Sequence, residues 1–293
     1  TITRCMYLTA RSVSTTFGLQ NLLRRAFGPM IGRFLFRLYG RSAGPHLVQG
    51  HRMHLSSGGG YPPLDMLTGK FETETTRLIM NLVRPGSFVI DIGAHVGYYT
   101  LISAGLTGLY GKVLAFEPDP TNHELLTRNI ELNLFHNVTV VKKAVSNRSG
   151  TGTLFQTKLD TGRHSTYKHD IPLSGSVDIE TVSLDEILGE KGNPKVDLIK
   201  IDVEGAEMDV WHGMSQLLAG DTVPKIIIEY HPILLTSAGV DALQFASQIF
   251  SQGFRVQMVN DNTGLKAIDE SEMEELTTRL SQHQVSINLF CEK

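Results

Sequence analysis

From Phe71 onward, short apolar runs alternate with stretches of helical periodicity, and few architectures accept that order. Phe88–Ile92, Lys112–Phe116, Val138–Val145, Asp197–Ile201, Lys225–Glu229, Arg255–Val259 and Val285–Phe290 read as strands. Helical spacing marks Phe71–Val83, Tyr98–Leu106, Thr121–Asn133, Ala206–Leu218 and Asp241–Phe250. The central runs are apolar throughout rather than at every second position, as expected of strands covered on both faces. Strand–helix alternation of this kind predicts an α/β fold: a doubly wound, mostly parallel seven-stranded sheet with helices on both sides. No long helix is evident between the last two strands, so they are expected to form an antiparallel edge. Thr153–Phe155 and Ile179–Ser183 read as short extra strands. The polar stretch Thr157–Asp178 between them reads as a loop.

The charge divides the chain in two. Residues 1–64 hold eight arginines and no Asp, Glu or Lys, whereas all 30 acidic residues follow, for a net charge of −3. We therefore divide the chain into a basic N-terminal arm, residues 1–70, and an acidic α/β body, residues 71–293. The arm has one helical stretch, Leu19–Tyr39, interrupted by Gly28-Pro29. It reads either as an amphipathic helix at a membrane surface or as a helix packed on the body. Ser56–Gly60 and Pro62-Pro63 read as a linker. Four arginines break the apolar stretch at 17–39, which argues against a membrane span and against a cleaved leader. Two distant cysteines, Cys5 and Cys291, make neither a disulfide framework nor a zinc site. These features predict a cytoplasmic protein whose arm contacts a membrane or an acidic protein surface.

The chemistry concentrates where strands end. Val89-Ile90-Asp91-Ile92-Gly93-Ala94-His95-Val96-Gly97 puts a carboxylate and two glycines at a strand-to-helix turn. In doubly wound sheets, ligands lie at the carboxyl ends of strands. The spacing G-x-x-x-G is not the G-x-G-x-x-G of a dinucleotide site, and Asp91 would repel a pyrophosphate. The same charge favours a cationic ligand such as the sulfonium and ammonium of S-adenosylmethionine. Glu117, in Phe116-Glu117-Pro118, is placed to bind ribose hydroxyls. Asp202 ends the next buried strand, with Glu204 and Glu207 beyond it; either a site or helix N-terminal capping accounts for those two acids. Lys200 lies inside that strand and needs a partner. Glu229 and His231 end the fifth strand.

Together these segments resemble the FkbM family of methyltransferases, within the class I, Rossmann-like methyltransferase fold. The likeness rests on the helix carrying Glu72 and Glu74, on Asp91–Thr100, on Phe116-Glu117-Pro118, on Val182–Asp185 and on Lys200–Glu207. The resemblance implies S-adenosyl-L-methionine as cofactor, held by Glu72, Asp91, Gly93, His95, Gly97, Glu117, Pro118, Ala144 and Asp202. It implies methyl transfer to a hydroxyl oxygen of a small molecule or carbohydrate. His95 departs from the family's usual Asn. The segment Lys142–Asn147 lacks the acid that many class I enzymes use to read adenine, so backbone groups near Ala144 would serve. His231 or Asp202 is the expected catalytic base. A secondary reading places a divalent cation on Asp202 and Glu229, with Glu204 assisting.

Other readings compete. The fold could bind S-adenosylmethionine without turnover, or methylate a nitrogen. Nucleic acid is not an expected partner, because the body is acidic and Asp202-Val203-Glu204-Gly205 is not the Asn/Asp-Pro-Pro-aromatic segment of base methylases. The glycine spacing disfavours an NAD-dependent oxidoreductase. Gly162–Tyr167 reads either as a cover for the acceptor or as a plain surface loop.

Overall fold

The computed structural model describes residues 44–55, 64–157, 161–261 and 263–293. The predicted helix at 19–39, most of the linker and Cys5 lie outside the described residues. In chain order, β1 (His46–Val48) and β2 (His51–Met53) form a hairpin, followed by α1 (Leu64–Thr68) and α2 (Thr73–Leu82). Then come β3 (Phe88–Ile92), α3 (Tyr98–Thr107), β4 (Lys112–Phe116), α4 (Pro120–Leu132) and β5 (Val138–Val141). β6 (Ala144–Val145), β7 (Gly150–Thr157) and β8 (Leu173–Val182) make a separate sheet, and α5 (Leu184–Glu190) leads back to β9 (Leu198–Ile201). The rest is α6 (Glu207–His212), α7 (Ser215–Ala219), β10 (Lys225–Tyr230), α8 (Pro232–Ser237), α9 (Ala242–Ser251), β11 (Arg255–Asn260), β12 (Gly264–Ile268), α10 (Met273–His283) and β13 (Ile287–Glu292).

The main sheet has the order β12-β11-β13-β10-β9-β3-β4-β5. β5, β4, β3, β9 and β10 run parallel; β13 is antiparallel to both β10 and β11. This is the doubly wound, mostly parallel sheet expected. Alternate side chains of the central strands enter two different cores. Ile90, Ile199 and Ile226 pack with Trp211 and Phe245 on one face; Val89, Leu198 and Ile227 pack with Ile79, Leu101 and Leu126 on the other. Burial on both faces is why these strands read as unbroken apolar runs.

The details differ from the reading in several places, and the third expected strand, Val138–Val145, is broken into β5 of the main sheet and β6 of the small one. The antiparallel strand β13 lies inside the sheet, and the hairpin partner β12 forms an eighth, edge strand. The helix α10 was missed because only Met273, Leu276 and Leu280 of its eleven residues are buried. The helical stretch at 206–218 is split at Gly213, where an added Cβ would stand 2.0 Å from the Ser146 carbonyl oxygen. The end of the polar stretch 157–178, from Leu173 on, belongs to strand β8, which pairs along the whole of β7.

Residues 44–70, assigned by charge to the arm, include well-packed structure. Val48, Met53 and Met66 share a core with Ile79, Ile102 and Ile130. Asn129 of α4, fully buried, fastens the hairpin: its Oδ1 accepts from the His54 amide at 2.7 Å and its Nδ2 donates to the His54 carbonyl at 2.9 Å. The same Nδ2 donates to the Val96 carbonyl at 2.8 Å. Among the described residues no helix is long and apolar enough to cross a membrane.

Removing the Asn129 amide strands buried backbone groups on both segments. Asn129→Ala is expected to destabilise the fold by about 3 kcal/mol in urea unfolding, with earlier proteolysis near His51–His54.

Candidate active site

The strand order reverses between β3 and β9, which opens a crevice at their carboxyl ends. The loop after β3 is pinned there. Gly93 and Ala94 amides donate to the Phe116 carbonyl at 3.0 and 2.9 Å, and the Asp202 amide donates to the Ile92 carbonyl at 3.0 Å. Gly93 has φ 84°, and an added Cβ would stand 1.8 Å from the Asp202 carbonyl oxygen. Contact between the two loops therefore demands this glycine, whatever the ligand. Gly97, at φ 99°, begins α3 where a Cβ would meet Leu126 at 2.6 Å.

The crevice encloses about 540 Å³ of space open to solvent, lined by Gly93, His95, Glu117, Pro118, Ala144 and Asp202 among others. Glu117 is the best-defined group in it. Its Oε2 accepts from the His95 amide at 2.8 Å and its Oε1 from the Asp119 amide at 3.0 Å. Burial pushes its carboxyl up to about 7. Ala144 and Val145 of the small sheet form the far wall.

A strap of residues 161–170 crosses the crevice. At one side the Thr161 hydroxyl stands 2.8 Å from His95 Nε2, and Asn122 Nδ2 donates to the Thr161 carbonyl at 3.0 Å. At the other side Ser165 Oγ donates to the Glu204 carbonyl at 2.7 Å, with His169 Nε2 2.8 Å from the same oxygen. Tyr167 donates to Asp209 at 2.7 Å. Between them His164 Nδ1 lies 3.4 Å from Asp119 Oδ2. Against the effect of burial, hydrogen bonds from His164, Asn122 and Gln156 hold Asp119 well below the usual carboxylate range. Asp119 also caps α4 through the Thr121 and Asn122 amides. Asp119 and Asn122 were not singled out from sequence, and His164 entered only within the Gly162–Tyr167 segment. Asp119-Pro120 is a helix-start signature, and it was the one local signal available.

Not every expected residue reaches the crevice. Asp91 is buried behind the loop, its Oδ2 accepting from the Thr100 hydroxyl at 2.5 Å, and burial pushes it up to about 6. Glu72 accepts from the Tyr99 hydroxyl at 2.6 Å and from Asn288 Nδ2 at 2.9 Å; burial raises its carboxyl. Neither lines the crevice wall. Both belong instead to a polar cluster around Lys200, which is 2% exposed and lies opposite Asp91 in register. Lys200 Nζ sits 3.0 Å from Asp202 Oδ2 and 5.5 Å from the centre of the Tyr99 ring. Burial alone would lower its ammonium, but the carboxylates of Asp202, Glu72 and Glu229 hold it above its ordinary range.

Asp202 thus faces two ways, into the crevice and toward further acids. One oxygen each of Asp202, Glu204 and Glu229 lie within 4.8 Å of one another. Burial, then the charges of Asp202, Glu204 and Glu207, raises Glu229 well above the ordinary range. Glu207 Oε1 accepts from the Val203 and Gly205 amides at 3.3 and 3.1 Å, so Glu207 ties down the loop that precedes α6 rather than capping that helix. His231 is buried, with Nδ1 unpartnered and its imidazole lowered by burial; it is not part of the crevice wall.

A family model described as the methyltransferase FkbM domain matches residues 91–256, more than half of the chain. The chain belongs to the FkbM methyltransferase family. Among curated relatives of this FkbM domain, the hexuronic acid methyltransferase AglP of Haloferax volcanii is 29% identical over 170 residues. That alignment covers 58% of this chain and 64% of AglP, less than two thirds of the relative's length. Methyltransferase 1 of Beauveria bassiana is 30% identical over 193 residues, covering 58% of this chain and 73% of the relative. The crystal structure of a methyltransferase FkbM from Methylobacillus flagellatus superposes with a TM-score of 0.43 at 16% identity, covering 75% of this chain and 51% of that one.

The loop contact and Glu117 each yield a test. Gly93→Ala is expected to cost about 3 kcal/mol or more in urea unfolding. Gly108→Ala also replaces a glycine at positive φ, but with nothing within 4 Å of the new Cβ; it should cost only about 1 kcal/mol. Glu117 makes stability pH-dependent. An acid raised on folding stabilises the fold below its unfolded value of 4.5, and that stability is lost as pH rises through about 7. Between about pH 4.5 and pH 8 the native chain should lose roughly 3 kcal/mol that Glu117→Gln retains, measured by unfolding of the two chains side by side.

Proposed function

We propose that the chain transfers the methyl group of S-adenosylmethionine to a hydroxyl oxygen of a carbohydrate or a related small molecule. The observation that carries this reading is Glu117, held by two backbone amides on the wall of a crevice at the sheet's reversal point, opposite Asp202. With both oxygens anchored, Glu117 keeps lone pairs for the two ribose hydroxyls of a nucleoside. Pro118, Ala144 and Val145 offer an apolar wall and backbone groups to the base. The carboxylate of Asp202 favours a cationic donor at the other end. Asp91 acts from behind, bracing α3 through Thr100 so that the loop bearing Gly93 and His95 keeps its shape.

The reaction forms a carbon–oxygen bond as the carbon–sulfur bond breaks, and the sulfonium leaves as a neutral thioether. The hydroxyl proton needs a destination. Of the two candidate bases, Asp202 borders the crevice and His231 does not. Asp202 therefore orients the acceptor hydroxyl and receives its proton, with Lys200 fixing the carboxylate. AglP, a hexuronic acid methyltransferase by name, supports a sugar acid as the acceptor class.

The test is transfer of label from methyl-tritiated donor to a panel of uronic acids, their glycosides, polyols and amines. Base-stable label on a hydroxylated acceptor is the expected result. Base-labile label would mean a carboxyl ester, and label on amines alone would mean nitrogen transfer. Donor binding with no transfer to any acceptor would leave only a binding module. Asp202→Asn should lower turnover by about 100-fold or more, whereas His231→Ala should leave it unchanged.

A further inference from the structure

We propose that Asp202, Glu204 and Glu229 form a binding site for a hard divalent cation on the acceptor side of the crevice. The inference rests on the acceptor reading above and makes it more specific. Asp202 follows β9 directly, and Glu229 lies on the neighbouring β10, one residue past the pairing of Ile201 with Ile228. Glu204 reaches the same place from a left-handed turn, φ 53°. One oxygen from each lies within 4.8 Å of the others. Two oxygens that share an ion at about 2.3–2.6 Å stand at most about 5 Å apart, so these three are already at ligating separations.

A second observation points to a ligand. Glu229 Oε1 accepts from Ser286 at 2.7 Å, but Oε2 is sealed from solvent and has no hydrogen-bond partner. A buried carboxylate oxygen left in this way is costly unless something positive meets it. Lys200 meets that need only in part: its ammonium hydrogen-bonds Asp202, and its charge is shared among Asp202, Glu72 and Glu229. Close behind, Glu207 is wholly buried and also has one partnerless oxygen. Among the described residues, acids thus outnumber the single buried cation, Lys200, on this side of the sheet.

The donor set is oxygen only, which suits Mg²⁺, Mn²⁺ or Ca²⁺ rather than zinc or copper. Three protein ligands leave positions for water and for acceptor oxygens. Adjacent oxygens of a sugar acid, a hydroxyl beside a carboxylate or a second hydroxyl, match such an opening. A cation bound there would lower the pKa of a coordinated hydroxyl. The chain's own part is to hold the three carboxylates convergent: Lys200 orients Asp202, Ser286 orients Glu229, and the strap's Ser165 and His169 hold the Glu204 turn.

The experiment is Mn²⁺ binding to the chelator-treated full chain, followed by the electron paramagnetic resonance of free Mn²⁺, with Mg²⁺ and Ca²⁺ as competitors. One site per chain is expected, weakened at least about tenfold in Glu229→Gln and in the loop variant Glu204→Gln. Thermal melts and binding of S-adenosylhomocysteine check that each variant is folded. No Mn²⁺ binding up to about 1 mM by a chain that binds S-adenosylhomocysteine overturns the cation site and leaves the methyl-transfer reading intact. Binding unchanged in both variants overturns it as well. Mn²⁺ binding that depends on Glu229, in a chain that binds no S-adenosylhomocysteine, upholds the cation site and overturns the methyl-transfer reading.

Discussion

The contact between Gly93 and the carbonyl of Asp202 is the constraint from which the site follows. There the loop leaving β3 and the loop leaving β9 approach so closely that only a hydrogen fits between them. The approach sets the floor of the crevice, turns His95 so that its amide meets Glu117, and delivers Asp202 to the opposite wall. Glycine at this point is first a packing requirement between two strands of the sheet. The room it leaves for a ligand is a by-product of the same geometry.

Electrostatics then divide the polar groups between two compartments. Glu117 and Asp119 serve the crevice, and both are bonded to backbone amides or strap residues. Glu72, Asp91, Asp202 and Glu229 gather around Lys200, the one buried ammonium among the described residues. Asp202 is the member common to both. A change in charge in the acidic cluster therefore reaches the crevice wall through a single side chain, at 3.0 Å from the lysine.

The central strands and their helices were legible because they are buried on both faces and their periodicity has no competing signal. Lys112–Phe116 was read to the residue, and Asp241 as the start of a helix is explained by its cap on the Leu243 and Gln244 amides. What was not legible depends on contacts far apart in sequence. That Asp91 bonds Thr100 and does not line the crevice wall follows from packing of α3 against β3, which no spacing rule carries. That the strand read at 179–183 already begins at 173 follows from pairing with β7, since its own exposed positions are polar. The strap's anchors, Thr161 on His95 and Ser165 on Glu204, join residues 66 and 39 positions apart. The convergence of Asp202, Glu204 and Glu229 was an option on paper, and becomes concrete only once β9 and β10 lie side by side.

The interior place of β13 bears on how the chain assembles during synthesis. Residues 287–292 fill the gap between β10 and β11, yet every other strand of the sheet is made before them. Until they emerge from the ribosome, β10 presents an open edge, and β11 with β12 has nothing to join. An unpaired edge is a template for association with other nascent chains. The growing polypeptide must therefore carry an unfinished sheet, held by β5, β4, β3, β9 and β10 alone, from the completion of β10 at Tyr230 until β13 is made.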